Sequence, residues 1–219
     1  MSMLCIIQAR LGSSRLPGKV TEVVGPCTAL AHTMLRAKAA LPDATIVVAS
    51  PHKDGREIEA AMAPGIAELF LWDGPEEDVL ARFAGVAASH PEARTIVRLT
   101  ADCPLVDPHG IRTVARIVAS GTIDFAWAGG LVNGLDAEAF VPELLRDAAR
   151  LARLPSDREH VTPWMRRTVR RHYRFPCHDH LPPYRWTLDT AEDLAWLRAL
   201  AEVVDLTPPG PLPGELHRL

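Results

Sequence analysis

Between Arg10 and Lys19 the chain sets three cations, two glycines and two serines within ten residues, Arg10-Leu11-Gly12-Ser13-Ser14-Arg15-Leu16-Pro17-Gly18-Lys19. Such a run can bind phosphate. Glycine lets backbone N–H groups come close to phosphate oxygens, while Arg10 and Arg15 would add planar forks and Lys19 a point charge. A solvated surface turn is the alternative reading of the same residues. The familiar phosphate loops do not fit. Gly12 and Gly18 stand one residue too far apart for a Walker A loop, Val20 follows the lysine in place of Ser or Thr, and Gly-x-Gly-x-x-Gly is absent.

Acidic residues supply the counterpart. Asp102 stands just past the apolar run Thr95–Leu99, and a carboxylate facing a phosphate loop can hold Mg²⁺, which takes few carboxylates and keeps several waters. Asp107, just before Pro108, reads more simply as a helix N-cap. Asp189 has two readings: a ligand, or with Thr190 a cap for the following helix, whose first turn would carry Glu192 and Asp193. Asp136 and Glu138, two residues apart, fall on one face of a strand, which suits a substrate pocket or a solvent-facing strand. His178-Asp179-His180 reads as a metal tract or, given the prolines nearby, as a surface loop, and His160 is open in the same way. Arg166-Arg167 and Arg170-Arg171 read as the polar face of a helix, with a substrate contact as the alternative. Five scattered tryptophans make no base-stacking platform.

Alternating elements must position these groups. Leu4–Ile7, Thr45–Ala49, Glu68–Leu71 and Thr95–Leu99 read as strands. Between them lie helical patterns over Ala29–Ala40, Asp54–Met62 and Glu76–Ala88, and a further helix runs from Asp107-Pro108 to Ala119. That alternation predicts a parallel sheet covered on both faces, with ligands beyond the carboxyl ends of its strands. The loops at 10–19, 50–55, 72–76 and 100–108 would then share one edge. Beyond Ile123 the pattern loosens. Strands are expected at Asp124–Trp127 and Ala137–Phe140 around a glycine-rich turn (Gly129, Gly130, Gly134). Helices are expected at Pro142–Leu154, at Asp157–Arg167 with a bend near Pro163, and at Thr190–Val204. Arg174–Pro176 and Arg185–Leu188 read as short extended pieces.

The 219 residues suffice for one domain, and a net charge of -3 gives no global reason to expect nucleic acid. Four cysteines far apart point to reduced thiols in a cytoplasmic protein. Neither a secretion signal nor a membrane-length apolar run is visible.

Taken together, Gln8–Lys19, Glu77–Phe83, Arg98–Pro108, Gly134–Phe140, Asp157–Trp164 and Arg185–Leu194 resemble, in the right order, the cytidylyltransferases that activate acidic sugars. These include the KDO- and sialate-activating enzymes, and the likeness is greatest to the branch associated with spore-coat polysaccharide biosynthesis. The resemblance spans residues 3–200. It implies a Rossmann-like α/β nucleotidyltransferase fold over residues 1–206, mostly parallel with helices on both faces. A small acceptor and dimerisation subregion would lie near 124–185, and the irregular tail 207–219, already suggested by its prolines, would follow. It further implies CTP as substrate, Mg²⁺ as cofactor, a small acidic acceptor and a homodimer. Arg10, Arg15 and Lys19 match the groups that bind the CTP phosphates. Ala9, Gly12, Ser13, Ser14, Ala49, Ser50, Asp78 and Arg82 match nucleotide-binding positions, Asp102 and Asp189 metal ligands, and Asp136, Glu138 and Arg185 acceptor contacts. Two departures stand out. Val24-Gly25-Pro26-Cys27-Thr28 replaces the family's Gly-Gly-Lys-Pro, removing a cation usual near the triphosphate, and Thr187 occupies a position often acidic in sialate-activating relatives. The rival readings are an enzyme of this fold with another nucleotide or a non-sugar acceptor, and a non-catalytic nucleotide-binding protein.

Overall fold

β1 (Met3–Gln8) divides its side chains between two faces. Leu4 and Ile6 pack on one, Cys5 and Ile7 on the other, and all four are buried. A strand apolar on both sides belongs inside a covered sheet. The computed structural model describes residues 2–129, 133–176 and 185–210 and places β1 within seven strands. A small hairpin, β2 (Val23–Val24) and β3 (Cys27–Thr28), stands apart from them. The others are β4 (Thr45–Pro51), β5 (Glu68–Trp72), β6 (Thr95–Thr100), β7 (Phe125–Ala128), β8 (Ala137–Phe140) and β9 (His172–Phe175). Their order is β5-β4-β1-β6-β8-β7-β9. β5, β4, β1 and β6 are parallel, β8 is antiparallel to both β6 and β7, and β9 is parallel to β7. Every strand but β8 therefore points the same way.

One face is covered by α1 (Ala29–Ala40), α2 (Gly55–Ala61) and α4 (Pro108–Ala119). The other carries α3 (Val79–Ser89), α5 (Pro142–Leu151) and α7 (Pro163–Thr168), and α6 (Pro155–His160) lies beside α3. A third apolar cluster joins Val24 and Leu105 to Leu188 and to Leu194 and Leu197 of α8 (Ala191–Val203). It clamps the late part of the chain onto the sheet's carboxyl edge.

Several boundaries differ from the sequence reading, each for a local reason. α3 starts at Val79, not Glu76, because Asp78 caps it by accepting the Ala81 N–H at 3.0 Å. Glu76 instead pairs with Lys53 at 2.6 Å. The helix from Pro142 stops at Leu151, and Leu154 is extended before Pro155, as a residue preceding proline tends to be. The single bent helix over 157–167 is two helices, with Val161 between them at a left-handed φ of 69°. Arg185–Leu188 forms no strand. Asp107 does cap α4, accepting from the His109 and Gly110 N–H groups. Cys5, Cys27 and Cys103 are free thiols. Cys177, the 178–180 tract, Gly130 and the tail from 211 lie outside the described residues. No described helix is long and apolar enough to cross a membrane.

Candidate active site

After β1 the chain closes a loop on itself. Leu11 O accepts from Ser13 N at 2.8 Å and from Gly18 N at 3.0 Å. Gly18 has φ 71°, a left-handed conformation that glycine adopts freely, and it turns the chain into a short 3-10 helix, Lys19–Thr21. Asp54, buried just beyond β4, accepts the Leu11 N–H at 2.9 Å. The loop is thus tied to the end of the neighbouring strand.

The lysine at the end of this loop meets two carboxylates. Lys19 Nζ lies 2.5 Å from Asp102 Oδ2 and 2.5 Å from Asp189 Oδ1, while Arg15 Nη2 lies 3.0 Å from Asp189 Oδ2. Burial by itself would lower the ammonium's pKa, but Asp102 and Asp189 outweigh it and raise it above the ordinary value. Asp102 is delivered by the end of β6. Asp189 is brought in by backbone bonds: Leu188 N donates to Asp102 O at 2.8 Å, and Trp186 N to Asn133 O at 2.9 Å. Gly134, at φ 97°, makes the close approach possible, since a Cβ there would stand 2.4 Å from the Trp186 carbonyl carbon. The cap of α8 is Thr190, in a capping box with Asp193, whose Oδ2 accepts from Asp189 N and Thr190 N. That frees the Asp189 carboxylate to face Lys19.

Two cavities meet at this point. The smaller, about 450 Å³, is lined by Ala9, Arg10, Gly12, Ser13, Ser14, Arg15, Lys19 and Arg82. Arg10 is held there by Glu159 at 3.3 Å. Arg82 is buried, its Nε and Nη1 have no hydrogen-bond partner among the described residues, and burial, then the nearby Arg10, lower its pKa to about 10. An anion entering this cavity would stabilise both cations. The larger cavity, about 880 Å³, shares Gln8, Thr100, Asp102, His160 and Asp189 with the smaller one. Its own walls include Arg98, Arg166, Arg174, Arg185, Asp136 and Glu138.

The reversal of β8 explains that second set. Its first residues lie at the carboxyl edge of the other strands, so Asp136 and Glu138 reach the site. Glu138 stands opposite Arg98 in the ladder. It is buried and accepts from Arg98 Nη1 at 2.5 Å, Arg166 Nη2 at 2.6 Å and Thr162 Oγ1 at 2.9 Å. Burial pushes its pKa up, but Arg98 and Arg166 outweigh burial, and the net shift is downward. Arg166 also lies over the Trp127 ring, 5.3 Å from its centroid. Arg174 Nε donates to Gly129 O at 2.9 Å, and Arg185 pairs with Asp193 at 2.6 Å. Asp136 has no ion pair among the described residues. It opens to the cavity, yet the protein packed behind it, then the Glu138 charge, raise its pKa to about 6.

Asp102 Oδ2 and Asp189 Oδ1 converge on one point, filled by the Lys19 ammonium. Two hard oxygen donors so placed fit a divalent cation such as Mg²⁺. Among the described residues no third acidic, His or Cys side chain completes the set. A cation there would complete its shell with water and phosphate oxygens.

The cytidylyltransferase family model matches residues 4–201. The chain belongs to the cytidylyltransferase family. It is 32% identical over 212 residues to the spore coat polysaccharide biosynthesis protein SpsF of Bacillus subtilis, covering 90% of this chain and 85% of that one. It is 30% identical over 171 residues to the 3-deoxy-manno-octulosonate cytidylyltransferase of Erwinia tasmaniensis, covering 73% and 66% of the two chains. A solved cytidylyltransferase from Leptospira borgpetersenii superposes with a TM-score of 0.80 at 29% identity, over 93% of this chain and 87% of that one. This protein is a nucleotidyltransferase enzyme with the expected fold.

Not every expected residue reaches the cytidylyltransferase's two cavities. Ala49 and Ser50 are fully buried at the end of β4, where Ala49 O accepts from Ala9 N, and they line neither cavity. Asp78 lines neither one; it caps α3 and pairs with Arg158 at 2.5 Å. Glu138 lines the larger cavity but spends its carboxylate on Arg98, Arg166 and Thr162, so it positions these groups. Hairpin residues 23–28 line neither cavity, and Arg198 of α8 donates to Val23 O at 3.0 Å. Sequence reasoning missed Arg98 and Thr162 and read Arg166 as part of a helix face. Arg98 did leave a signal: a lone cation in an apolar strand must find a partner once buried.

Proposed function

We propose that this cytidylyltransferase transfers CMP from CTP to a hydroxyl of an acidic sugar, in the assembly of a surface polysaccharide. The observation that supports this reading is the shared wall. Asp102 and Asp189 stand between a cavity lined by Arg10, Arg15, Lys19 and Arg82 and another lined by Arg98, Arg166, Arg174 and Arg185. Triphosphate fits the first, and a carboxylate-bearing acceptor the second. The names of the Bacillus and Erwinia relatives point the same way.

In the reaction, the acceptor oxygen bonds to the α-phosphorus as the bond to the bridging oxygen breaks, and pyrophosphate departs with that electron pair. Arg10, Arg15 and Arg82 hold the phosphates, and Lys19 offsets the charge that grows on the leaving group. Arg166, fixed by Glu138 and Trp127, presents its remaining N–H groups to the acceptor carboxylate. Asp136, a carboxylate of the larger cavity with no ion pair among the described residues, takes the hydroxyl proton. Asp102 and Asp189 would hold Mg²⁺, which would supply screening of the phosphate charge there. Positioning and electrostatics carry the rest, so no nucleophilic side chain is required.

The four nucleoside triphosphates, each with Mg²⁺, should differ in protection against thermal unfolding, with CTP the strongest. Adding 3-deoxy-manno-octulosonate or another 2-keto sugar acid to CTP should release pyrophosphate. Equal protection by a second triphosphate, or release only with neutral alcohols, would overturn the proposed substrates.

A further inference from the structure

The Lys19 ammonium occupies the place where the two acidic oxygens converge, at 2.5 Å from each. Arg15 holds the second oxygen of Asp189 at 3.0 Å. In the protein without ligands, two cations therefore balance two carboxylates, and the wall between the cavities is already neutral. A divalent cation cannot join that arrangement without an ammonium at contact distance, a strong repulsion in a partly buried site. Removing Lys19 alone would leave Asp102 and Asp189 facing each other, so the lysine also keeps the acids together.

We infer that Lys19 is a movable placeholder for the divalent cation, so that metal and nucleotide must enter together. This rests on the cytidylyl-transfer reading in taking Mg²⁺ and CTP as the physiological pair. Lys19 also lines the smaller cavity beside Arg10 and Arg15. Once a triphosphate lies there, its oxygens offer the ammonium other anions, and the long side chain can swing towards them. The backbone need not move, because Gly18 and the short helix after it fix the start of the side chain. The two acids are then released to the metal. Because the coupling is reciprocal, nucleotide raises metal affinity by the same factor that metal raises nucleotide affinity. The free protein would shun metal alone, which prevents a cation from sitting idle on acids meant for the metal–nucleotide complex.

The experiment reads metal binding directly, with Mn²⁺ as the probe and calorimetry or electron spin resonance as the measurement. Without nucleotide, Lys19→Met should bind Mn²⁺ at least tenfold more tightly than the wild-type protein. Lys19→Arg, which keeps the charge, should stay weak. A second Asp102→Asn change in the Lys19→Met protein should abolish the gain, which assigns it to this site. Adding CTP should tighten Mn²⁺ binding to wild type beyond the chelation of Mn²⁺ by CTP alone, measured in parallel, and bound CTP that gives no such gain overturns the inference. Lys19→Gln serves as a second neutral variant should Lys19→Met unfold. Equal or weaker Mn²⁺ binding by the folded neutral variants overturns the inference, as does tight Mn²⁺ binding by wild type alone. If CTP does not bind but the neutral variants still gain Mn²⁺, the placeholder stands and the nucleotide reading fails.

Discussion

The two cavities differ in how their charges are held. In the smaller cavity, cations come from one loop and one helix, and they are only partly neutralised: Arg10 by Glu159 at 3.3 Å and Glu76 at 3.9 Å, while Arg82 Nε and Nη1 have no hydrogen-bond partner among the described residues. In the larger cavity, Glu138 is saturated, and it locks Arg98, which also donates to Gln8 Oε1, and Arg166, which lies over Trp127. The first cavity is therefore built to be completed by an anion, whereas the second is a preformed frame whose shape is set before any ligand arrives. The contrast suits a common first substrate and a selective second one.

The hardest blow to that comparison is a change in the wall both sides share. Asp102→Asn should lower pyrophosphate release about 100- to 1,000-fold, the scale of losing one strong electrostatic group in a site, while the thermal midpoint stays near wild type. Normal turnover in a folded variant would remove Asp102 from the chemistry. Glu138→Ala tests the larger cavity alone. It leaves two arginines facing each other, and breaking a buried pair in this way costs about 3–5 kcal/mol, readable in urea unfolding. CTP should still protect the folded remainder; loss of that protection would mean the two cavities are one cooperative unit.

The smallest expected effect concerns Asp136. Its folded pKa of about 6 lies above the ordinary 3.8, so the folded state holds the proton that the unfolded state has lost between these values. The ionised carboxylate therefore costs stability above pH 6, and the cost fades as pH falls through 6 towards 3.8. Asp136→Asn carries no such charge. It should be more stable than wild type at pH 7.5, with the gap closing on acidification in matched thermal melts. A gap that is constant with pH would place the effect in packing.

The same division decides what the sequence disclosed. Leu4–Ile7, the loop behind it and Asp102 after Thr95–Leu99 were legible because in a parallel sheet each loop follows its own strand to the same edge. Asp107 before Pro108 named its own role. The larger cavity was not legible, since its residues meet through pairings that spacing does not encode. Arg166 faces the cavity only because Glu138 waits on β8, and helical periodicity cannot say which face of α7 meets that strand. Asp189 was ambiguous between cap and ligand until Thr190 and Asp193 took the cap. Val161 broke a helix with a left-handed turn that no valine advertises.

The bond from Leu188 N to Asp102 O, together with the sequence separation of 170 from Lys19 to Asp189, has a bearing on how the protein is born. A nascent chain can lay down β1, β4 and β6 long before Asp189 leaves the ribosome. Until then Lys19 meets one acid rather than two, and the larger cavity lacks the wall that Thr187 and Asp189 supply. The wall is therefore complete only once the stretch that carries Asp189 has been made, and a chain cut short before it would carry half a site.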